Sequence, residues 1–151
     1  MPFSIGSTAA KKVFWGTTEV KKVYSGSTLV WQSILDIIVK ASNPTALSGT
    51  GRYGLGATTV GNYALFGGGG SAAVDAYNNF LTAYTPTALS VSRSMLSATT
   101  VGDYALFGGG VSSAVVDAYN TSLTRSIPTP LSAARYALNA TTVGNYALFG
   151  G

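Results

Sequence analysis

The sequence predicts an all-β protein built from tandem repeats. Residues 57–69 (ATTVGNYALFGGG) recur almost unchanged at 98–110 and 140–151. Prolines recur at a spacing of 42 residues: Pro44, Pro86 and Pro128. The repeated segments combine β-branched and aromatic residues with glycine-containing turns, which is typical of short strands. A fixed period indicates one supersecondary unit copied several times, each copy covering the apolar faces of the next.

A smaller repeat of about ten residues precedes these units. Lys11–Val20 (KKVFWGTTEV) is followed directly by Lys21–Val30 (KKVYSGSTLV). Each copy predicts a strand, a tight turn and a second strand. We expect residues 1–33 to form a small module, a three-stranded antiparallel meander that needs a partner because so small a sheet is marginal alone. Its hydrophobic face, and its attachment surface, would come from Trp15, Tyr24 and Trp31.

Residues 34–151 form the second predicted region. Ser33–Asn43 is a strand-length apolar run rich in β-branched residues, and we expect Ile38–Asn43 to be the last strand of a repeat. The repeats that follow are 44–85, 86–127 and the partial unit 128–151.

Each complete repeat predicts four strands. The first contains Ala-Thr-Thr-Val and the second Tyr-Ala-Leu-Phe-Gly-Gly. Two-residue hairpin turns join them, where Gly, Asn and Asp tolerate positive φ: Gly61-Asn62, Gly102-Asp103 and Gly144-Asn145. The third strands are predicted at Ala73–Tyr77 and Val115–Tyr119, and the fourth at Phe80–Tyr84 and Leu123–Ser126.

A unit of about 42 residues with four antiparallel strands is typical of a β-propeller blade. Because blades are covered on both faces, we expect Tyr63, Ala64, Leu65 and Phe66 all to be buried. Glycines after the phenylalanine suit closely approaching backbones: Gly67, Gly68, Gly108, Gly109, Gly150 and Gly151. Two blades and half of a third are fewer than a closed propeller needs, so we expect either a longer polypeptide or a ring completed by several copies.

One arginine precedes the first strand of every repeat: Arg52, Arg93 and Arg135. These side chains fit either a ring that binds an anionic ligand or hydrogen bonds to carbonyls between blades, and we expect the structural role. Asp75 and Asp117 occupy one position in successive repeats, which disfavours paired acid and base chemistry. We expect them to make structural hydrogen bonds.

The composition excludes several chemistries. The chain has no cysteine and no histidine, so disulfides, Cys/His zinc sites, thiol nucleophiles and histidine-dependent triads are ruled out. Gly49–Gly54 (GTGRYG) matches the dinucleotide fingerprint formally, but it neither follows a βαβ-type strand nor opens a helix. We therefore expect no enzyme activity, no metal and no cofactor.

The charge pattern bears on partners. The net charge is +4, and only 9% of residues are charged. We interpret the two Lys-Lys pairs as solvated charges on strand edges, not as a nucleic-acid surface. No apolar run is long enough to cross a bilayer, so we expect no membrane insertion. So few charges are unusual for a free monomer, and we expect a homo-oligomer.

Two resemblances add to this reading. Lys21–Trp31 (KKVYSGSTLVW) resembles a short module near the N-termini of tail and minor structural proteins of phages and prophages of Gram-positive bacteria, over about Ser7–Gln32. Pro44–Gly151 resembles the kelch family in its arginine before strand one, its strand running into Gly-Gly and its Val-Asp-Ala-Tyr strand. It departs in carrying leucine where kelch units have tryptophan, at Leu81 and Leu123.

These resemblances imply a virion structural protein of a phage tail, such as a tail fibre, tail tip component or adhesin, assembled in the bacterial cytoplasm. Residues 1–33 would bind other virion proteins. The kelch-like blades would present loops to a host-surface polysaccharide or protein, for host recognition and adhesion. The alternatives are a bacterial cell-surface or scaffold interaction protein and the N-terminal part of a propeller enzyme.

Overall fold

The computed structural model describes residues 44–151 in full and, before them, the backbone of four strands. The chain divides into two compact units, Met1–Ser42 and Asn43–Gly151. The strand predicted at Ile38–Asn43 lies outside the described residues. The described residues form antiparallel β-sheets and contain no helix. Accordingly, the described part of the chain has no helix that could cross a membrane.

The N-terminal strands form two hairpins. Strand β1 (Val13–Trp15) pairs with β2 (Thr18–Val20), and β3 (Lys22–Ser25) pairs with β4 (Thr28–Gln32). Each ten-residue copy thus supplies two paired strands, as predicted, and the residues of the predicted turns lie outside the described part.

The single three-stranded meander is wrong, because these pairings form two separate two-stranded sheets. The meander required one middle strand that pairs with both β1 and β4. In the structure this segment is divided into β2, which pairs with β1, and β3, which pairs with β4. No described residue of that segment therefore pairs on both of its edges. The expected roles of Trp15, Tyr24 and Trp31 concern side chains that lie outside the described part.

The first sheet contains β5 (Leu55–Val60), β6 (Tyr63–Gly68), β7 (Val74–Asn78) and β8 (Ala83–Tyr84). The second sheet contains β9 (Ser97–Val101), β10 (Tyr104–Gly108), β11 (Val116–Asn120) and β12 (Arg125–Ser126). Both are antiparallel and keep the order of the chain. The C-terminal hairpin pairs β13 (Asn139–Val143) with β14 (Tyr146–Gly150).

The hairpin turns between the first two strands of each repeat lie where they were predicted. Gly61, Gly102 and Gly144 have φ values of 52°, 52° and 54°. A glycine with positive φ at the first central position is the pattern of a type II′ turn, whose twist matches that of the flanking strands. The glycine, and not the Asn or Asp after it, supplies the positive φ.

The fourth strand is shorter than predicted in both sheets, and a side-chain-capped turn is the reason. The Asn78 Oδ1 atom accepts hydrogen bonds from the Phe80 and Thr82 backbone NH groups at 3.0 and 2.9 Å. Leu81 has a φ of 60°, so it cannot continue a strand. Asn120 caps the same turn in the second sheet. The third strand correspondingly runs one residue further than predicted, to the capping asparagine.

Successive side chains of a strand point to opposite faces, so each sheet has two distinct faces. The phenylalanine face carries Phe66 and Tyr77 in the first sheet and Phe107 and Tyr119 in the second. The glycine face carries Leu65 and Gly67 in the first sheet, with Leu106 and Gly108 at the same positions of the second.

The core lies between the glycine face of the first sheet and the phenylalanine face of the second. The buried cluster draws on both: Val60, Leu65, Val74 and Ala76 from the first sheet, and Ala105, Phe107 and Tyr119 from the second. The expectation that both faces of β6 are buried is wrong in the first sheet. Leu65 is fully buried, whereas Ala64 and Phe66 are partly exposed, because none of the described residues forms a sheet over the phenylalanine face there. Tyr63 lies on the glycine face and packs against the core, but it is also partly exposed.

Candidate functional site

The second sheet holds a fully buried ion pair. Arg93 Nη2 donates to Asp117 Oδ2 at 2.7 Å, and neither side chain is exposed. The same guanidinium donates to the Phe107 and Val115 carbonyls at 3.0 and 3.1 Å. Arg93 comes from the loop before β9, whereas Asp117 lies on β11. The pair therefore fastens the loop to the third strand across the end of the sheet.

The first sheet repeats this arrangement. Arg52 Nη1 donates to Asp75 Oδ2, and Arg52 Nε donates to the Gly68 carbonyl at 2.8 Å. The Arg52 and Asp75 side chains are 6% and 8% exposed, so this pair is slightly more open than its counterpart.

The predicted acceptor for the arginines is partly wrong. The carbonyls that accept from the Arg52 and Arg93 side chains belong to the same repeat as the arginine, not to a neighbouring one. These arginines contact the neighbouring repeat through their backbone: the Arg93 carbonyl accepts from the Gly69 NH at 3.0 Å, and the Arg135 carbonyl accepts from the Gly110 NH at 2.8 Å.

Arg135 has a different environment from the other two arginines. Its side chain is exposed, and Nη1 donates to the Gly151 carbonyl at 2.6 Å. In the described chain the third repeat has no strand that corresponds to β7 or β11, and so it has no matching aspartate. The three arginines thus share a position in the sequence but do not form a common set of partners.

Each aspartate is also held by a serine. The Ser48 and Ser90 NH groups donate to Asp75 Oδ1 and Asp117 Oδ1 at 3.1 and 3.0 Å. All these partners lie within one repeat, so the two carboxylates are structural hydrogen-bond acceptors, as expected. Among the described residues, no group of three or more acidic, histidine or cysteine side chains converges on a metal-binding position.

Burial shifts the pKa values of two polar groups in the second sheet. Desolvation lowers the pKa of the Arg93 guanidinium, and the adjacent Asp117 carboxylate opposes that shift. Burial also raises the pKa of the Tyr119 phenol, with Asp117 adding to the effect. The Tyr119 hydroxyl donates to the Thr87 carbonyl at 2.7 Å. Its counterpart Tyr77 donates to the Thr45 carbonyl at 2.6 Å.

The predicted glycines have two separate functions. Gly68, Gly109 and Gly151 have positive φ values of 81°, 72° and 154°, which side-chain-bearing residues rarely adopt. Gly67 and Gly108 have ordinary φ but lie under an aromatic ring: a Cβ at Gly67 would be 2.9 Å from Phe107, and a Cβ at Gly108 would be 2.6 Å from Phe149. Gly150 corresponds to this second kind, yet the space beside it is open.

The phenylalanine face of the first sheet forms an apolar depression. It has a volume of about 410 Å³ and its walls are almost entirely apolar, contributed by Ala64, Phe66, Tyr77, Leu81 and the segment 44–47. This face is chemically the same as the buried phenylalanine face of the second sheet. It therefore offers a preformed apolar surface for another sheet.

Sequence reasoning missed this surface and also missed the threonines that link the first strands of neighbouring sheets. The Oγ1 atoms of Thr58 and Thr100 are 2.7 Å apart, and those of Thr99 and Thr142 are 2.8 Å apart. The signal was available, since these threonines recur in every repeat at adjacent positions. Arg125 was also missed. Its Nε atom lies 3.9 Å from Asp117 Oδ1, but the residue does not recur, because the first repeat has Ala83 at the equivalent position.

The fold and the site define an all-β protein of stacked antiparallel sheets with internal ion pairs. No protein-family model matches the chain, and no curated protein matches it.

Proposed function

We propose that this chain is a structural and adhesive protein of a phage tail or a related virion appendage. The observation that supports it best is the organisation of the chain. Two short hairpins, in the segment that resembles a tail-protein module, precede a separate unit of repeated sheets. Under this proposal the hairpin unit attaches to other virion proteins, and the repeated unit presents its loops to the host surface.

The repeated sheets are, in this proposal, blades of a kelch-like β-propeller. Three features support the assignment: the four strands of each complete sheet follow chain order, one sheet packs its face on the next, and the first strands β5, β9 and β13 are neighbours. Such neighbouring first strands are what the inner ring of a propeller requires, since blades are arranged radially around a central channel.

A structural role fits the use of the charged side chains. Asp75 and Asp117 have their acceptor atoms committed to arginine and serine donors of their own repeats. Groups held this way stabilise the end of a sheet and are poorly placed to exchange protons with a substrate. The proposed activity is therefore binding and assembly without catalysis.

The proposed contact surface is the set of exposed aromatic side chains in loops and turns. Tyr53 and Tyr136 occupy equivalent positions before the first strands and are 64% and 63% exposed, while Phe80 is 79% exposed in the Asn78 turn. Repeated aromatic and amide groups suit many weak contacts along a polymer. The ligand would be a host-surface polysaccharide or a host-surface protein.

Immunogold electron microscopy of particles from a bacterium that carries this gene tests the assignment. Gold label at the tail, with the chain present in purified particles, is the expected result. The double substitution Trp15→Ala and Trp31→Ala should reduce its incorporation, whereas Phe80→Ala, in the repeated unit, should not. Label on cells and none on particles would overturn the virion assignment in favour of a bacterial surface protein.

A further inference from the structure

We propose that the phenylalanine face of the first sheet binds the glycine face of the C-terminal hairpin in a second copy of this chain. The contact is head to tail. It rests on the stacking of sheets inside one chain and does not depend on a virion role.

The same contact occurs twice within one copy. Phe107 of the second sheet lies on Gly67 of the first, and Phe149 of the C-terminal hairpin lies on Gly108 of the second. In both cases the missing side chain leaves room for the ring, so glycine and phenylalanine are two halves of one joint. A contact made twice by the same residue types in one fold is a geometry that these sheets can form again.

Two halves of this joint, Phe66 and Gly150, have no matching half among the described residues. Phe66 lies in the apolar depression and has no described glycine beneath its ring. Among the described residues, no atom beyond its chain neighbours lies within 4 Å of the place a Cβ on Gly150 would occupy. Around Gly150 the glycine face exposes Val143, Tyr146 and Leu148, which are 60%, 71% and 49% exposed.

The threonines provide a polar match for the same docking. Inside the chain, the first threonine of one repeat bonds the second threonine of the next: Thr58 with Thr100, and Thr99 with Thr142. Thr141 and Thr59 are the remaining members of this series, and both are exposed. Docking of Phe66 on Gly150 of the other copy would bring the Thr59 and Thr141 hydroxyls together and allow the same hydrogen bond between the two copies.

Self-complementarity selects a second copy as the occupant. An unrelated apolar partner would have to reproduce both the glycine under the ring and the threonine beside it, whereas this chain already carries both. Because the two faces differ, the contact is heterologous and builds either a closed ring or an open stack. Association should therefore rise with protein concentration.

Sedimentation velocity on the purified chain, over roughly a hundredfold range of concentration, tests the proposal. The wild type should form species larger than a dimer. Gly150→Val should weaken self-association at least about tenfold, since its side chain occupies the space of the docking ring, yet that space is open in a single copy, so folding is spared. Ser122→Val, which adds an apolar side chain in an exposed loop outside both faces, should leave association unchanged.

Mixing two variants tests the head-to-tail geometry. Phe66→Ala retains an intact glycine face, and Gly150→Val retains an intact phenylalanine face. At a concentration at which the wild type associates and each variant alone is monomeric, a mixture should give a one-to-one dimer and nothing larger. A wild-type monomer at every concentration, or oligomers that persist in Gly150→Val, would overturn the proposal.

Discussion

The first and second sheets have nearly the same sequence but differ in burial. Phe107 and Ala105 are fully buried, whereas their counterparts Phe66 and Ala64 are only partly buried. The strands, the register and the hairpin turns are alike. The difference comes from the neighbour: the first sheet covers the phenylalanine face of the second, and none of the described residues forms a sheet over that of the first. Burial in a stacked fold is thus set by position in the stack.

The ion pairs show the same contrast in polar groups. Arg93 and Asp117 are fully buried and Arg52 and Asp75 slightly exposed. A buried charge that loses its partner is strongly destabilising, because it cannot recover its interaction with water. Equivalent substitutions in the two sheets should therefore have unequal costs.

The largest contrast is expected at the aspartates. Asp117→Ala should lower the free energy of unfolding by about 3–5 kcal/mol, because it leaves the Arg93 charge buried without its carboxylate. Asp75→Ala should cost about 2 kcal/mol, since the Arg52 side chain has some access to water whereas that of Arg93 has none. Chemical denaturation measures both, with the exposed turn variant Asp103→Ala as a control. Equal losses at positions 75 and 117 would contradict the role of stacking.

A smaller contrast is expected at the phenylalanines. Phe107→Ala should cost about 3 kcal/mol, because it opens a cavity between the two sheets. Phe66→Ala should cost about 1 kcal/mol in dilute, dissociated protein, since the side chain is already partly exposed and loses mainly its edge-on contact with Tyr77. Thermal and denaturant unfolding of both variants checks this, and a Phe66→Ala loss as large as that of Phe107→Ala would mean that another element covers the first sheet.

The smallest effect is expected at alkaline pH. The folded pKa of Tyr119 lies above its ordinary value of 10.0, so the folded state retains a proton that the unfolded state releases. Its contribution to stability is then complete below about pH 10 and falls as the pH rises above that value. Tyr119→Phe should cost about 1 kcal/mol at neutral pH and flatten the alkaline decline. An identical loss of stability at alkaline pH in the wild type and in Tyr119→Phe would contradict the raised pKa of Tyr119. Tyr77→Phe, at the equivalent position of the first sheet, is the matched control variant.

Much of the fold could be predicted because the relevant physics is local. Turn glycines, β-branched runs and the 42-residue spacing located the first two strands of every repeat. The fourth strand was misplaced because the side chain of Asn78 competes with strand pairing, and a propensity argument assigns Phe80–Thr82 to a strand. The N-terminal meander was wrong because pairing partners depend on register, which the ten-residue repeat leaves open.

The site was less predictable from single positions. Arg52 and Arg93 were found because they recur, but their acceptors depend on where the loop folds back on its own sheet. The apolar surface around Phe66 was missed because identical sequence predicted identical burial. A comparison of the residue types on the two faces of a sheet, phenylalanine on one and glycine on the other, would have predicted that a ring packs on a glycine. It would not have shown which of these rings and glycines have a partner.

The joint between ring and glycine has a consequence for how such a gene can change. Each unit brings a projecting Phe on one side and a matching recess on the other, so duplication or deletion of one whole period would create no new kind of junction. Loss of half a unit would remove both parts or neither, because the Phe and the Gly are consecutive residues of the second strand, and it would leave a sheet without its full set of strands. Length can therefore vary in steps of one unit while the rest of the coding sequence stays constant.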